Sequence, residues 1–139
     1  MHTIFVIFGA TGDLAKRKLF GALYNIYANR KDTPMDIIAV GRRDFDKQGF
    51  MQYIDQETTE FIKKKPDFSS FLSTIQYSKV ELNKSDDYAN LKTDIEKLQR
   101  ADSQVIFYLS ISPEHFSGFV DNYKHIAPGN AKVIFEKPF

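Results

Sequence analysis

Apolar and polar positions along the chain alternate between two textures. Five short runs, residues 3–8, 36–40, 74–79, 104–109 and 131–135, are rich in apolar and β-branched residues, and each has the length of a strand. Between them apolar residues recur at three- and four-residue spacing. Leu19, Ala22, Leu23 and Ile26 do so in the first interval, and Tyr88, Leu91, Ile95 and Leu98 in the third, as a helix face packed on a sheet requires. Residues 46–65 also read as helical, with Gly49 and the polar run 56–60 as the weakest stretch. Pro113 is placed to open the fourth helix, and Pro128-Gly129 to close it.

Strands alternating with helical intervals predict a parallel sheet, because parallel neighbours need crossovers and those crossovers share one hand. Buried parallel strands carry nearly continuous apolar residues, as 4–8 and 105–109 do. The expectation is an α/β, three-layer α/β/α fold in a single domain spanning residues 1–139.

Composition narrows the function. With 42% hydrophobic and 27% charged residues the chain is ordinary for a globular protein. It has no apolar run near the roughly 20 residues that span a bilayer. The apolar run 4–8 is too short for a signal-peptide core and leads straight into Gly9. A net charge of +1, with both signs dispersed, gives no footprint for nucleic acid or an anionic membrane. The absence of cysteine removes disulfides, thiolate catalysis and cysteine-zinc sites, and is compatible with a reducing cytoplasm. His2, His115 and His125 lack metal-ligand spacing and read as structural or surface histidines, so no metal site is expected.

The most informative stretch is Gly9-Ala10-Thr11-Gly12-Asp13-Leu14-Ala15, where an apolar strand passes through a glycine turn into a helical pattern. Glycines let the backbone turn sharply and approach a pyrophosphate, and the small Ala15 one helical turn later lets helix and strand pack. The first helical amides then face the anion, aided by the positive end of the helix dipole. The G-x-x-G-x-x-A spacing is one residue longer than G-x-G-x-x-G, and an accidental strand-to-helix turn is the competing reading. In this context the fold expectation becomes a Rossmann-type doubly wound sheet. Asp13 would repel a phosphate and is expected to cap the helix instead. Of Lys16, Arg17 and Lys18, at most one or two can lean towards phosphate.

Strand two ends in Gly41-Arg42-Arg43. NAD binders commonly place an acidic residue there for the ribose hydroxyls, whereas an arginine accommodates a 2′-phosphate. Gly41 leaves room beside the ribose, and a guanidinium offers phosphate a planar, bidentate partner. NADP is favoured over NAD. Asp44 could oppose this unless it pairs with a neighbouring arginine.

The run from Phe8-Gly9-Ala10-Thr11-Gly12-Asp13 to Leu14-Ala15-Lys16-Arg17-Lys18-Leu19 resembles the G-[AG]-[ST]-G-D-L-A-[KR]-[KR]-K signature of the glucose-6-phosphate dehydrogenases. Val40-Gly41-Arg42, Ile106-Phe107-Tyr108-Leu109-Ser110 and Glu136-Lys137-Pro138-Phe139 match later landmarks of that family in order. The resemblance implies that Gly9, Ala10, Thr11, Gly12, Asp13, Leu14, Ala15 and Lys16 surround the pyrophosphate and that Arg42 holds the 2′-phosphate of NADP. It also implies that Glu81 and Leu82 lie on the adenine side, that Ser110 lies near the nicotinamide, and that Lys137 touches both cofactor and substrate. Ser112-Pro113 stands where the family commonly has Pro-Pro.

By the same resemblance the full-length enzyme is a cytoplasmic homo-oligomer of carbohydrate metabolism that opens the pentose phosphate pathway. It oxidises glucose 6-phosphate at C1 to the 6-phosphoglucono-lactone with NADP as hydride acceptor. The general base, a histidine in a D-H-Y-L-G-K motif, is absent from these residues, so no catalytic residue is expected in this chain. The expectation is an NADP-binding fragment cut before the substrate domain, with an exposed sheet edge beside strand five and no turnover of its own. Two other readings share the glycine turn: an extended short-chain dehydrogenase, whose Tyr-Lys pair only Tyr27 and Lys31 mimic in spacing on the wrong helix, and a free-standing NADP-sensing module.

Overall fold

In the computed structural model, which describes residues 1–135, every apolar run becomes a strand and every interval a helix-bearing crossover. Strands β1 (Thr3–Phe8), β2 (Met35–Gly41), β3 (Ile75–Lys79), β4 (Gln104–Leu109) and β5 (Lys132–Phe135) form one sheet in the order β3-β2-β1-β4-β5. All four pairings are parallel, and β1 sits centrally with Phe8 opposite Val40 on one side and Leu109 on the other. The crossovers carry α1 (Phe20–Asn29), α2 (Lys47–Glu57), α3 (Phe68–Ser73), α4 (Ser85–Leu98) and α5 (Phe116–Ile126). A π-helical segment, Ala15–Leu19, runs into α1, and a 3-10 turn, Pro113–His115, runs into α5.

Successive strand residues point to opposite faces, and the central strands feed two cores. Ile7, Ile37 and Ala39 pack with Leu23, Phe50 and Phe71 beneath α1, α2 and α3. Ile4, Val6, Phe8, Ile38 and Val40 pack with Tyr88, Leu91 and Phe119 beneath α4 and α5. This is the doubly wound, three-layer α/β/α arrangement of the Rossmann type, and it explains why strands buried on both faces read as nearly continuous apolar runs. Phe8 is fully buried, with the Phe119 ring edge-on at 5.0 Å and Tyr88 at 6.2 Å. A large side chain buried in this way contributes about 1.5–3 kcal/mol.

The expected helix over 46–65 is corrected: α2 stops at Glu57, a turn follows, and α3 begins at Phe68. The Thr58 and Thr59 hydroxyls donate back to the carbonyls of Ile54 and Asp55, a local alternative that competes with helix continuation. The Phe61 and Ile62 amides turn onto the Thr58 carbonyl, and Lys64 bonds the Asp55 carbonyl at the open helix end. Gly49, the weak point of the pattern, has a use. Asp46 caps α2 by accepting from the Gly49 amide at 2.7 Å, and a Cβ on Gly49 would lie 2.9 Å from that carboxylate oxygen. At the other side of the sheet β5 pairs with β4 alone among the described residues, and Ile134 and Phe135 are exposed.

At the amino ends of the strands, the fully buried His2 ring joins β1, β2 and the start of β4. Its Nδ1 lies 2.7 Å from Ser103 Oγ and its Nε2 2.8 Å from Asp36 Oδ2. A carboxylate only accepts, so Nε2 carries the proton given to Asp36, and the Ser103 hydroxyl donates to Nδ1 while accepting from the Arg100 amide. Although serine, histidine and aspartate meet here, the hydroxyl is buried and already bonded, so the group ties three elements together. Replacing His2→Ala leaves a cavity and two partners short of a bond; urea unfolding is expected to show a loss of about 2–4 kcal/mol. A change within measurement error would remove this tie from the account of the fold.

Candidate functional site

Two strands extend to each side of β1, so the crossovers leave on opposite faces and part between β1 and β4. Sheets of this kind bind ligands in the crevice at the carboxyl ends of the strands at that switch point. A cavity of about 290 Å³ lies there. Gly9, Thr11 and Gly12 line it from the turn after β1, Gly41 and Arg42 from the end of β2, Glu81, Leu82 and Asn83 from the loop after β3, and His115 from the entry to α5. A larger hollow of about 480 Å³, beside Arg17, Lys18 and Lys65 on the outside of α1, includes neither the glycine turn nor any strand end. The chemistry of the chain therefore points to the smaller one.

The glycine turn is built by close approach. Gly9 has φ +81°, a region that costs other residues about 1–2 kcal/mol, and a Cβ there would sit 2.1 Å from the Ser110 carbonyl oxygen. Ser110 in turn donates its amide to the Phe8 carbonyl at 2.8 Å. The Gly9 and Ala10 amides both donate to the Val40 carbonyl at 3.1 Å, anchoring the turn to β2. Gly12 closes the turn onto the Gly9 carbonyl at 3.0 Å. The Thr11 amide has no backbone acceptor among the described residues, and Asp13 and Leu14 stand at the helix start, where amides lack intrahelical partners. A ligand anion would find those donors facing it.

The expected site residues divide accordingly. Gly9, Thr11, Gly12, Arg42, Glu81 and Leu82 line the cavity. Ala10 and Ala15 are fully buried and pack in the core under α1, so their side chains serve the join between helix and strand. Leu14 is half-buried outside the cavity wall. Ser110 lies behind Gly9, with its hydroxyl buried and unpartnered among the described residues. The capping role expected of Asp13 is corrected: the carboxylate instead accepts from Arg17 Nε at 2.7 Å, an i,i+4 pair on the exposed face. Lys16 turns towards Glu57 on α2 at 3.5 Å, not into the cavity. Lys137 lies outside the described residues.

At the end of β2 the two arginines take different surroundings. Among the described residues, Arg42 lines the cavity with no hydrogen bond, ion pair or ring contact. Arg43 lies over the Phe45 and Tyr53 rings, 5.1 Å from each centroid. Asp44 pairs with Lys79 at 2.8 Å, so its partner is a lysine of β3 and not a neighbouring arginine. Gly41 does line the cavity, yet the room expected beside it is partly taken, since a Cβ there would lie 2.8 Å from the Tyr77 hydroxyl. Burial pushes the Tyr77 phenol up to about 12, and its hydroxyl donates to the Arg43 carbonyl.

Asn83 and His115 also face the cavity, although the sequence marked neither. His115, expected as a structural or surface residue, is half exposed, 3.7 Å from Glu114, and is the last residue of the 3-10 turn that leads into α5. Its place two residues after Pro113 was the available signal. The loop after β3 is held by α4: Asp87 accepts from the Glu81 amide at 2.8 Å, and the Tyr88 hydroxyl donates to the Leu82 carbonyl at 3.0 Å. Burial pushes the Tyr88 phenol up to about 12 as well, with a further push from Asp121.

Comparison with known proteins agrees with this geometry. The family model described as "Glucose-6-phosphate dehydrogenase, NAD binding domain" matches residues 6–139. The chain is 36% identical over 138 residues to glucose-6-phosphate 1-dehydrogenase of Helicobacter pylori strain J99, covering 96% of this chain and 31% of that protein. A crystal structure of glucose-6-phosphate 1-dehydrogenase from Mycobacterium avium superposes with a TM-score of 0.83 at 27% identity, over 99% of this chain and 30% of that one. A glucose-6-phosphate dehydrogenase in complex with its substrate glucose 6-phosphate gives 0.82 at 28% identity, over 99% and 30%. The chain thus spans less than a third of the length of these relatives.

Two outcomes are expected. Gly9→Ala should lower stability by about 2–4 kcal/mol in urea unfolding, from the positive φ and the clash with Ser110. Gly129→Ala, where a Cβ meets nothing within 4 Å, should stay within about 0.5 kcal/mol; equal effects would refute the close-approach argument. Raised from an ordinary 10.0 to about 12, Tyr77 and Tyr88 keep their protons longer in the folded state. Their stabilising contribution is complete below pH 10 and is lost as pH rises through about 12. Stability measured across that window should fall less steeply in Tyr77→Phe than in the parent chain.

Proposed function

The chain belongs to the glucose-6-phosphate dehydrogenase family, as its NAD-binding domain, and on that premise we propose that it binds NADP in the cavity between β1 and β4. The observation that carries the choice of NADP is Arg42: a guanidinium at the end of β2 with no partner among the described residues, lining the same cavity as the glycine turn. The residues fit the dinucleotide by two structural criteria. Thr11 and the start of the following helix offer donors to the pyrophosphate, and Gly9 and Gly12 leave the backbone bare where a side chain would stand. Arg42 then takes the 2′-phosphate as a charge-assisted, bidentate donor, and Glu81 and Leu82 border the adenine side. Asp13, Leu14, Ala15 and Lys16 contribute through the helix start and its packing, and Ser110 shapes the floor behind Gly9.

When bound, NADP supplies the hydride-accepting nicotinamide. In the full-length protein the proposed reaction is the oxidation of glucose 6-phosphate at C1 to the lactone, the substrate being that held by the structural relative. A hydroxyl proton must leave as the hydride departs, which requires a positioned base. Residues 1–139 contribute no catalytic residue to that step in this reading. Lys137 is proposed to touch cofactor and substrate. The enzyme would act in the cytoplasm, and no helix among the described residues is long and apolar enough to cross a membrane.

Calorimetric titration tests the proposal. NADP should bind more tightly than NAD, and Arg42→Ala should weaken NADP about 10- to 100-fold, the loss of a charge-assisted bond, while changing NAD little. Glucose 6-phosphate oxidation should stay undetectable in the same samples. Turnover would show that a base lies within these residues, and equal loss for both nucleotides would show that Arg42 does not read the 2′-phosphate.

A further inference from the structure

The 2′-phosphate reading assigned to Arg42 depends on a guanidinium held in place with no bond of its own among the described residues. Arg42 and Arg43 form the bend that leaves β2, so what fixes the backbone on either side of this pair decides where Arg42 points. Before it, the Gly41 carbonyl accepts from the Val80 amide at 2.9 Å. After it, the Tyr77 hydroxyl donates to the Arg43 carbonyl at 2.7 Å. Its position is set by packing: the Tyr77 ring is stacked on Phe50 at 4.8 Å and 27°, and meets Phe45 edge-on at 5.2 Å and 80°. The hydroxyl also fills the place where a Gly41 Cβ would stand, so glycine at 41 and tyrosine at 77 form one fitted pair.

A second phenol reaches the other phosphate-facing element. The Tyr53 hydroxyl donates to the Thr11 carbonyl in the glycine turn at 3.2 Å, and the Arg43 guanidinium lies over the Tyr53 ring. Phe45, Phe50, Tyr53 and Tyr77 touch one another as a single aromatic block. The block is anchored in the core by Phe50, which is fully buried. Arg43 is thereby held on the block and away from the cavity, and the two ends of the cavity are tied to one rigid piece.

We propose that Tyr77 and Tyr53 are positioning residues of the nucleotide site: Tyr77, through the Arg43 carbonyl, sets Arg42 for the 2′-phosphate and so selects NADP over NAD, and Tyr53 sets the turn that meets the pyrophosphate common to both. This rests on the NADP reading above. Holding a donor in its bound geometry before the ligand arrives removes an ordering cost that the ligand would otherwise meet. The two hydroxyls therefore act on different parts of the dinucleotide and should leave different signatures.

The test uses Tyr77→Phe and Tyr53→Phe, which keep the rings, alone and combined with Arg42→Ala, with calorimetric titration of NADP and NAD and thermal unfolding of each chain. Tyr77→Phe should weaken NADP about three- to tenfold, the range of one hydrogen bond. It should leave NAD within about twofold and have no further effect on NADP once Arg42 is alanine, as expected when two residues act as one unit. Tyr53→Phe should weaken both nucleotides by a common factor. Equal loss of NADP and NAD in Tyr77→Phe, or a Tyr77 effect that persists without Arg42, would overturn the assignment while leaving the NADP reading intact. If Arg42→Ala alone leaves NADP binding unchanged, the NADP reading falls and this inference with it. Should Tyr77→Phe fail to fold, Phe45→Leu removes the ring that Tyr77 meets edge-on outside the cavity wall, and the same split between NADP and NAD is expected.

Discussion

The contact on which the rest depends is the one between Gly9 and the backbone of Ser110. Two strand ends approach so closely that a single methyl group would fall 2.1 Å from a carbonyl oxygen. That approach lets the Ser110 amide reach the Phe8 carbonyl, keeps β1 and β4 paired to their last residues, and turns the chain at φ +81° towards the helix. A side chain at Gly9 would push the turn off β4, and the amides that follow would no longer start at the mouth of the switch point. The position of the cavity is thus a consequence of packing density, and the glycine is the condition for it.

Around that contact, backbone donors are divided between holding the turn and facing the cavity. Gly9 and Ala10 give their amides to Val40, which locks the turn to β2 and leaves Thr11 and the helix start to face outward. The same economy governs charge. Lys16, Arg17, Lys64 and Lys79 each meet a carboxylate, and Arg43 rests on aromatic rings. Arg42 is the cation of the β2 end left open towards the cavity. A site that binds an anion gains from a donor that need not first break another bond, and the aromatic block beneath Arg43 is what keeps the neighbouring guanidinium elsewhere.

The same division of labour suits the nucleotide-binding role in the proposed function. Both faces of the sheet are covered by its own helices and each carries a core of fully buried residues. The buried His2–Asp36–Ser103 group sits at the opposite ends of the strands from the cavity, where it serves the fold. In the proposed function, the reacting sugar and its base come to the nicotinamide from residues beyond this domain.

The strands, their alternation with helices and the glycine turn were legible in the sequence because each is written locally. Apolar runs mark strands buried on both faces, three- and four-residue spacing marks helix faces, and two glycines between them mark a sharp turn. Arg42 was legible for the same reason, as a residue ending a strand. What only the tertiary structure decided are the partners that lie far along the chain. Helix α2 ends at Glu57 because Thr58 and Thr59 bond backwards and Lys64 covers the open carbonyl end, which a periodic pattern does not record. Asp44 pairs with Lys79, Lys16 with Glu57, and Tyr77 with the Arg43 carbonyl. Asn83 and His115 reach the cavity only because β3 and α5 end beside it. Periodicity is a property of neighbours in sequence. The choice among several charged or hydroxyl partners depends on which strand ends the sheet brings together, and that is settled when the crossovers pack.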